Sequence, residues 1–270
     1  MRVPLSWLRD FTPVEGPPGE IARTLSFLGL VVESTNVVGP PFPGIVVARV
    51  LATRPHPAAD RIQLVEVDAG DGEALQVCCG AFNMKPGDLV PLATVGTVMP
   101  SGLEIGRRRM RGEWSNGMLC SAPELRLGSE GPEPAILVLG GGSPGQAVAE
   151  ALGLGPDIVF ELEISPNRSD CFSVAGVARD LAAASGLPFS VPEPPHVVAP
   201  AVEAASVVVA PESVAGCPRF TATVIEGVQD ANVSPLVRHR LALAGMRAIH
   251  PVVDASNYVM LELGQPNHPY

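Results

Sequence analysis

The chain has 270 residues, of which 46% are hydrophobic and 17% charged, and its formal net charge is −10. This composition excludes a disordered or strongly charged chain, and it means that any contact with nucleic acid must be local. The 28 glycines and 29 prolines, with only 4% aromatic residues, predict many turns and short strands rather than long helical bundles.

The cysteines and the N-terminal sequence bear on where the protein works. The five cysteines include no C-x-x-C pair, and the opening MRVPLSWLRDF carries three charges and no apolar leader. No apolar run approaches the length needed to span a membrane. We therefore expect a cytoplasmic protein with no membrane segment, no disulfide framework and no metal site of zinc type.

The first predicted elements are a helix and a strand. Residues 18–29 predict a helix, because apolar side chains recur at helical spacing after Pro18 and Gly29 is placed to end it. Residues 30–38 predict a strand by their β-branched content. The sequence GPPFPG that follows suits no regular element, so a boundary is predicted at residues 39–44.

The next hundred residues predict a small β-barrel. Short β runs are separated by turns rich in Gly, Pro and Asp, at residues 44–51, 61–69, 74–79, 88–96 and 135–140. A helix over 143–153, with Ser143 as its N-cap, is expected to close this segment. Among the loop residues, His56 is predicted to pack a loop and Asn83 to support a turn.

A strand from Ile158, a break at 165–167 and a helix ended by Gly186 are predicted next, with Asp170 or Ser173 as the helix cap. Prolines then predict a stiff linker over 188–200.

The last segment predicts strands at 205–210 and 219–226, and a helix between Ser234 and Gly245. From residue 252 onward, further β structure is predicted.

One basic cluster lies within the predicted barrel. It consists of Arg107, Arg108, Arg109 and Arg111, with Trp114 close behind. Guanidinium groups beside a ring suit phosphate contact and base stacking. Charged residues also protect an edge strand from aggregation, and on the cluster alone this second interpretation is favoured.

A polar cluster near the end of the sequence includes Arg247, Asp254, Ser256, Asn257 and His268. A hydrolase triad of Ser256, Asp254 and His268 is a weak hypothesis, because the chain has no G-x-S-x-G elbow. A pocket that positions a water and an ester is the better one. The histidines lack a third ligand at recognisable spacing, so no metal site is expected.

Taken in order, several motifs resemble the β subunits of bacterial phenylalanyl-tRNA synthetases. They are MRVPLSWLRDF, HPAADRIQLVEVDAG, SNGMLCS, ISPNRSDCFSVAGVARDLAA, CPRF and GMRAIHPVVDASNYVMLELGQPNH. The resemblance implies an α+β fold in which a small α/β domain (1–43 plus 153–190) carries an inserted OB-fold, tRNA-binding barrel (44–152). A linker (188–200) then leads to the first part of a mixed α/β editing domain (201–270).

The resemblance also implies the family's reaction, the ATP-dependent attachment of phenylalanine to tRNA(Phe) by an α2β2 tetramer. ATP and Mg²⁺ would act on the α subunit, and this chain would hold no cofactor; neither a membrane nor DNA is an expected partner. The family hydrolyses mischarged tyrosyl-tRNA in a second site, because a phenylalanine pocket cannot strongly exclude tyrosine.

The family's editing residues correspond here to Arg247, Ser256, Asn257 and His268. Arg247 would hold the tRNA end, Ser256 and Asn257 would position the ester and water, and His268 would orient the terminal adenosine. The chain departs from the family where Ser256 replaces the usual threonine, and where the sequence ends at Tyr270, inside the editing domain. A truncated gene or incomplete sequence is therefore expected.

Three alternatives stay open at this point. One is a stand-alone tRNA-binding barrel that uses the arginine cluster, another is a free-standing editing hydrolase, and the third is a truncated fragment without function.

Overall fold

The computed structural model describes residues 1–127, 134–194, 208, 210–216, 224–228, 234–267 and 269, which mix helices and antiparallel sheets as the α+β class predicts. The described strands are β1 (Arg2–Pro4), β2 (Val31–Val38), β3 (Ile45–His56), β4 (Ala59–Asp68), β5 (Ala74–Cys79), β6 (Leu89–Ala93), β7 (Arg108–Met110), β8 (Glu113–Ser115), β9 (Met118–Leu119) and β10 (Asp157–Glu163). The described α-helices are α1 (Leu5–Leu8), α2 (Pro18–Phe27), α3 (Val148–Ala151), α4 (Val174–Ser185), α5 (Pro235–Leu243) and α6 (Pro251–Leu263), with 3-10 turns at Pro166–Cys171 and Pro211–Ser213. None of the helices in these residues is both long and apolar enough to cross a membrane.

A three-stranded antiparallel sheet joins the start of the chain to β10. Its order is β1-β10-β2, with Val3 opposite Phe160 and Val38 opposite Asp157. One apolar core lies between this sheet and helices α1, α2 and α4. The largest side chains in this core with almost no exposed surface are Trp7, Leu8, Phe11, Leu25, Leu30, Phe160 and Leu162. The predicted helix over 18–29 and the strand over 30–38 are both confirmed.

Helix α4 begins and ends as its sequence predicts. The Ser173 hydroxyl accepts a hydrogen bond from the Gly176 N–H at 3.0 Å, which satisfies one of the unpaired amides of the first turn. Gly186 ends the helix with a φ of 65°, a left-handed conformation that glycine adopts without steric cost.

The middle of the chain forms a five-stranded antiparallel sheet of order β5-β4-β3-β6-β9. Four of the predicted strands are confirmed, but the prediction of a strand at 135–140 was wrong. There, Leu139 forms only an isolated bridge with Leu89. The side-chain amide of Asn83 hydrogen-bonds both the N–H and the C=O of Ile136 at 2.9 Å, so a side chain replaces a strand partner. The fifth strand is β9.

The predicted helix over 143–153 is shorter than expected, because α3 begins only at Val148. Before it, the Gly145 N–H donates to the Val47 carbonyl at 2.9 Å, and the Val47 N–H donates to the Gln146 carbonyl at 2.8 Å. These two bonds hold residues 145–146 against β3, and the Gln146 N–H donates to the Ser143 carbonyl at 3.0 Å in a turn, so Ser143 is not a helix cap.

The prediction of β structure after residue 252 was wrong, because Pro251–Leu263 is helix α6. The His250 ring accepts a weak hydrogen bond from the Val252 N–H at 3.4 Å, and Gly264 ends the helix with a φ of 73°. The predicted helix after Ser234 is confirmed as α5, with Ser234 as its N-cap. The predicted strands at 205–210 and 219–226 and the CPRF motif lie wholly or largely outside the described residues.

Helix α6 docks onto the core of the three-stranded sheet. The Tyr258 ring stacks on Trp7 with 4.5 Å between ring centroids. The Arg240 guanidinium, from α5, donates to the Tyr258 hydroxyl at 2.8 Å and to the Asp10 carboxylate at 2.6 Å. The Trp7 indole N–H donates to Glu262 at 3.2 Å. Stacking, hydrogen bonds and an ion pair therefore fix the α5–α6 pair against the start of the chain.

Candidate functional site

The predicted basic cluster forms a tight β-hairpin, which we call the arginine hairpin (residues 107–115). Strands β7 and β8 pair with Arg109 opposite Trp114. The two turn residues, Arg111 and Gly112, have φ values of 47° and 102°. Positive φ at both turn positions is the geometry that matches the twist of paired strands, and Gly112 adopts it without a side-chain clash.

The arginine hairpin is anchored to the five-stranded sheet by hydrogen bonds. The Ala58 N–H donates to His56 Nδ1 at 3.0 Å, so the neutral ring carries its hydrogen on Nε2 and donates it to the Met110 carbonyl at 3.0 Å. At the other strand, the Ser115 hydroxyl accepts from the Cys78 N–H at 3.0 Å. His56 is 5% exposed and packs a loop, as predicted.

The hairpin presents its charge to solvent. All four arginines are exposed, and no carboxylate in the described part of the chain forms an ion pair with them. The Arg107 and Arg109 guanidinium carbons lie 4.5 Å and 5.9 Å from the ring centroid of Trp114, which is 43% exposed. Positive charge and an accessible aromatic ring therefore occupy one small surface.

A second basic surface surrounds Arg247. This residue lies on the connection between α5 and α6 and lines a cleft of about 670 Å³ together with Arg126 and Arg238. We call it the Arg247 cleft. Arg238 is buried, with its Nε 3.7 Å from the Asp254 carboxylate, and the other oxygen of Asp254 accepts from the Ile249 N–H at 2.8 Å.

Ser256 and Asn257, two of the other predicted editing residues, are not among the described residues that line this cleft. Ser256 and Asn257 lie half-buried at consecutive positions of α6. His268 lies outside the described residues, so the geometry of the proposed set stays a prediction. Asp254, considered for a triad, is fully buried beside Arg238.

The sequence predictions missed two residues of the cleft, Arg126 and Arg238. Charged side chains usually lie at the surface, so a buried arginine in a helix carries little signal in a single sequence. The sequence RHR at 238–240 was the available hint, since it puts two arginines within one turn of a predicted helix.

The strand-to-helix segment at 164–173 is a structural ion-pair network. The Arg168 guanidinium donates to Asp170 at 3.2 Å, to the Cys171 sulfur at 2.8 Å and to Asp180 at shorter range. Hydrogen bonding to Arg168 lowers the pKa of Asp170 to about 2. Burial raises the pKa of the Cys171 thiol to about 12, so this cysteine stays protonated. The arginine occupies the space among these three groups.

Two protein families match separate segments of the chain. A family described as a putative tRNA binding domain matches residues 45–144, which include the arginine hairpin. A family described as a B3/4 domain matches residues 216–270, which include Arg247, Ser256, Asn257 and His268. The chain therefore contains a segment similar to a putative tRNA-binding domain.

The comparison with individual proteins is more specific. The chain is 42% identical to the phenylalanine--tRNA ligase beta subunits of Anaeromyxobacter dehalogenans (strain 2CP-C) and Syntrophus aciditrophicus (strain SB). Each alignment covers 100% of this chain and 33% of the relative. The chain is thus homologous to phenylalanine–tRNA ligase β subunits, and it spans about a third of their length.

Among solved structures, the C-terminal domain of Plasmodium vivax p43 is 24% identical over 37% of this chain and 56% of that one, with a TM-score of 0.27. This overlap is too slight for a comparison of folds.

Proposed function

We propose that the chain is the tRNA-binding portion of a phenylalanine–tRNA ligase β subunit. The observation that carries the proposal is the exposed arginine hairpin, which lies inside the tRNA-binding match of a chain homologous throughout to β subunits. Its partners would be tRNA(Phe) and an α subunit in an α2β2 tetramer in the cytoplasm. Its contribution would be to the ATP-dependent attachment of phenylalanine.

ATP and Mg²⁺ belong, in this proposal, to the synthetic site on the α subunit. The cluster of Asp170, Cys171 and Asp180 in this chain is a poor magnesium site, because Mg²⁺ prefers oxygen ligands and the guanidinium groups of Arg168 and Arg179 already pair with both carboxylates. We therefore assign no metal-dependent step to this chain.

The proposed domain organisation has an OB-type barrel inserted into a small α/β domain. The five-stranded antiparallel sheet supports the barrel, because β5 and β9, the two edges of the sheet, lie close to each other. The pairing of β1 and β2 with β10 supports the discontinuous domain (1–43 plus 153–190) around the barrel (44–152). In the proposed organisation, a linker (188–200) follows these two domains and leads to the first part of the editing domain (201–270).

Editing of tyrosyl-tRNA is the second part of the proposed function. Arg247 would hold the anionic tRNA end in the basic Arg247 cleft, where Arg126 adds positive charge. Ser256 and Asn257 would position the ester and a water, and His268 would orient the terminal adenosine.

Filter binding of tRNA(Phe) at two salt concentrations tests the tRNA-binding role. Binding should weaken steeply with salt, because each arginine that neutralises a phosphate releases a counterion. Replacing Arg108 with Gln should lower the slope of log K against log salt by about 1. Arg23→Gln, a change at an exposed position on α2, is the matched control and should leave the slope unchanged. Equal slopes for the two variants would contradict the role of the hairpin.

Deacylation of tyrosyl-tRNA(Phe) tests the editing role separately. We expect hydrolysis above the buffer rate, with a higher KM in Arg247→Ala and loss of turnover in His268→Ala. The absence of hydrolysis above buffer would show that this chain does not edit by itself.

A further inference from the structure

The arginine hairpin carries more than positive charge, because Trp114 gives it an exposed aromatic face. Phosphate binding alone needs no ring. An exposed tryptophan on a sheet surface is also a liability, since apolar surface attracts non-specific partners. Trp114 is nevertheless 43% exposed, and two guanidinium groups lie near its ring.

The surrounding contacts hold the backbone of β8 in place. Gln76, on β5, donates to the Trp114 carbonyl at 2.9 Å and to the Glu113 carboxylate at 3.2 Å, while its own oxygen accepts from Arg54 at 2.6 Å. The bond from Gln76 holds the carboxylate of Glu113, the one acidic residue of the hairpin, next to the sheet. The strand that carries Trp114 is therefore held by the sheet, so little backbone conformational entropy is lost when a ligand packs on the ring.

The type of nucleic acid follows from what can stack on an exposed indole. The bases of a duplex already stack on their neighbours, so their faces are unavailable, whereas an unpaired base has a free face. Arg107 and Arg109, next to the ring, are positioned to meet the phosphates that flank such a base.

We propose that Trp114 is a stacking platform for one unpaired nucleobase, and that the arginine hairpin therefore prefers single-stranded segments of RNA to duplex. This inference rests on the proposed tRNA binding and deepens it. The preference is independent of base identity, because every base offers a face to the ring. The hairpin would accordingly engage a loop or an unpaired end of a tRNA.

Intrinsic fluorescence makes the contact measurable in the intact chain. The chain has two tryptophans, and Trp7 is fully buried against Tyr258, so a ligand that stacks on the protein surface should quench Trp114 alone. The probes are a single-stranded oligouridylate of about 12 nucleotides, within the site size of such a domain, a duplex RNA of equal length, and inorganic polyphosphate. We expect quenching by the single strand and none by duplex or polyphosphate.

Substitutions then separate stacking from charge. Trp114→Leu should weaken single-strand binding by about tenfold and leave polyphosphate binding unchanged, and Trp114→Phe should restore most of the loss. Arg108→Gln should weaken all three probes to a similar degree while single-strand quenching persists at saturation. Circular dichroism of each variant checks that it is folded.

Failure of the stacking proposal can be distinguished from failure of the proposed function. Single-strand binding by Trp114→Leu equal to that of the unmodified chain, or equal quenching by duplex and single strand, would overturn the stacking proposal while tRNA binding stands. If the chain bound neither tRNA nor any of the three probes, the proposed function itself would be overturned.

Discussion

The contact between α6 and the start of the chain supports a quantitative prediction. Tyr258 stacks on Trp7, and its hydroxyl accepts a 2.8 Å hydrogen bond from Arg240, whose side chain is only 7% exposed. Removing the hydroxyl in Tyr258→Phe leaves one guanidinium hydrogen without its partner, although Arg240 keeps Asp10. Loss of a hydrogen bond to a charged group costs about 1.5 kcal/mol in the free energy of unfolding.

Tyr258→Ala removes the ring as well. A stacked aromatic pair contributes roughly 1 kcal/mol beyond area burial, and the half-buried ring adds a similar amount, so the total loss, with the hydrogen bond, should be about 3.5 kcal/mol. The measurement is urea unfolding followed by tryptophan fluorescence in a Trp114→Phe background, where the signal comes from Trp7 alone.

Val253→Ala is the matched control for Tyr258→Ala. This residue lies on the same helix and is 36% exposed, so its replacement should change the free energy of unfolding by less than about 0.5 kcal/mol. If Tyr258→Ala were as stable as Val253→Ala, the docking of α6 onto the Trp7 core would be refuted.

Three further predictions concern other parts of the fold. Gly176→Ala should destabilise by at least ~2 kcal/mol in thermal unfolding, despite alanine's better helix propensity, because the added methyl would collide with the Asp170 carbonyl. Asp170 has a pKa of about 2 in the folded chain, below the unfolded value of about 3.9, so its contribution to folding stability is present above about pH 3.9 and is lost as the pH falls toward 2. Asp170→Asn should therefore be less stable than the unmodified chain in urea unfolding at neutral pH, and the difference in stability should disappear in acid. Gly112→Val forces a β-branched residue to a φ of 102°, and this strain should lower the affinity of the arginine hairpin for tRNA in filter binding. Gly19→Ala is the control, because its methyl group would meet open space, and it should leave the affinity unchanged.

The sequence was informative where structure is decided locally. The caps of α4 and α5 and the β-branched runs of β2 to β6 act within a few residues, so single-sequence patterns are sufficient to predict them. Helix α6 is different, because its valines favour a strand by local propensity. Its packing partner is Trp7, at the other end of the sequence, and tertiary contact overrides propensity there.

The candidate sites also combine features that the sequence shows with features that only the structure shows. The charges of the arginine hairpin are visible in the sequence, but the hairpin turn and the approach of Arg107 to the ring required the structure. The Arg247 cleft could not be predicted, because Arg126 comes from the middle of the chain and Arg238 from α5, and a single sequence does not show which distant segments meet.

The strand order β1-β10-β2 has a consequence for synthesis on the ribosome. The first two strands pair with β10 and not with each other, so neither has its sheet partner until residues 157–163 have emerged. At roughly 5–20 residues per second, that delay is on the order of ten seconds. During this delay the strands of the five-stranded sheet can pair, because the partners of β3 to β6 and β9 lie within that sheet. The apolar start of the chain meanwhile has unpaired strand edges, which chaperones can bind and which can misassemble.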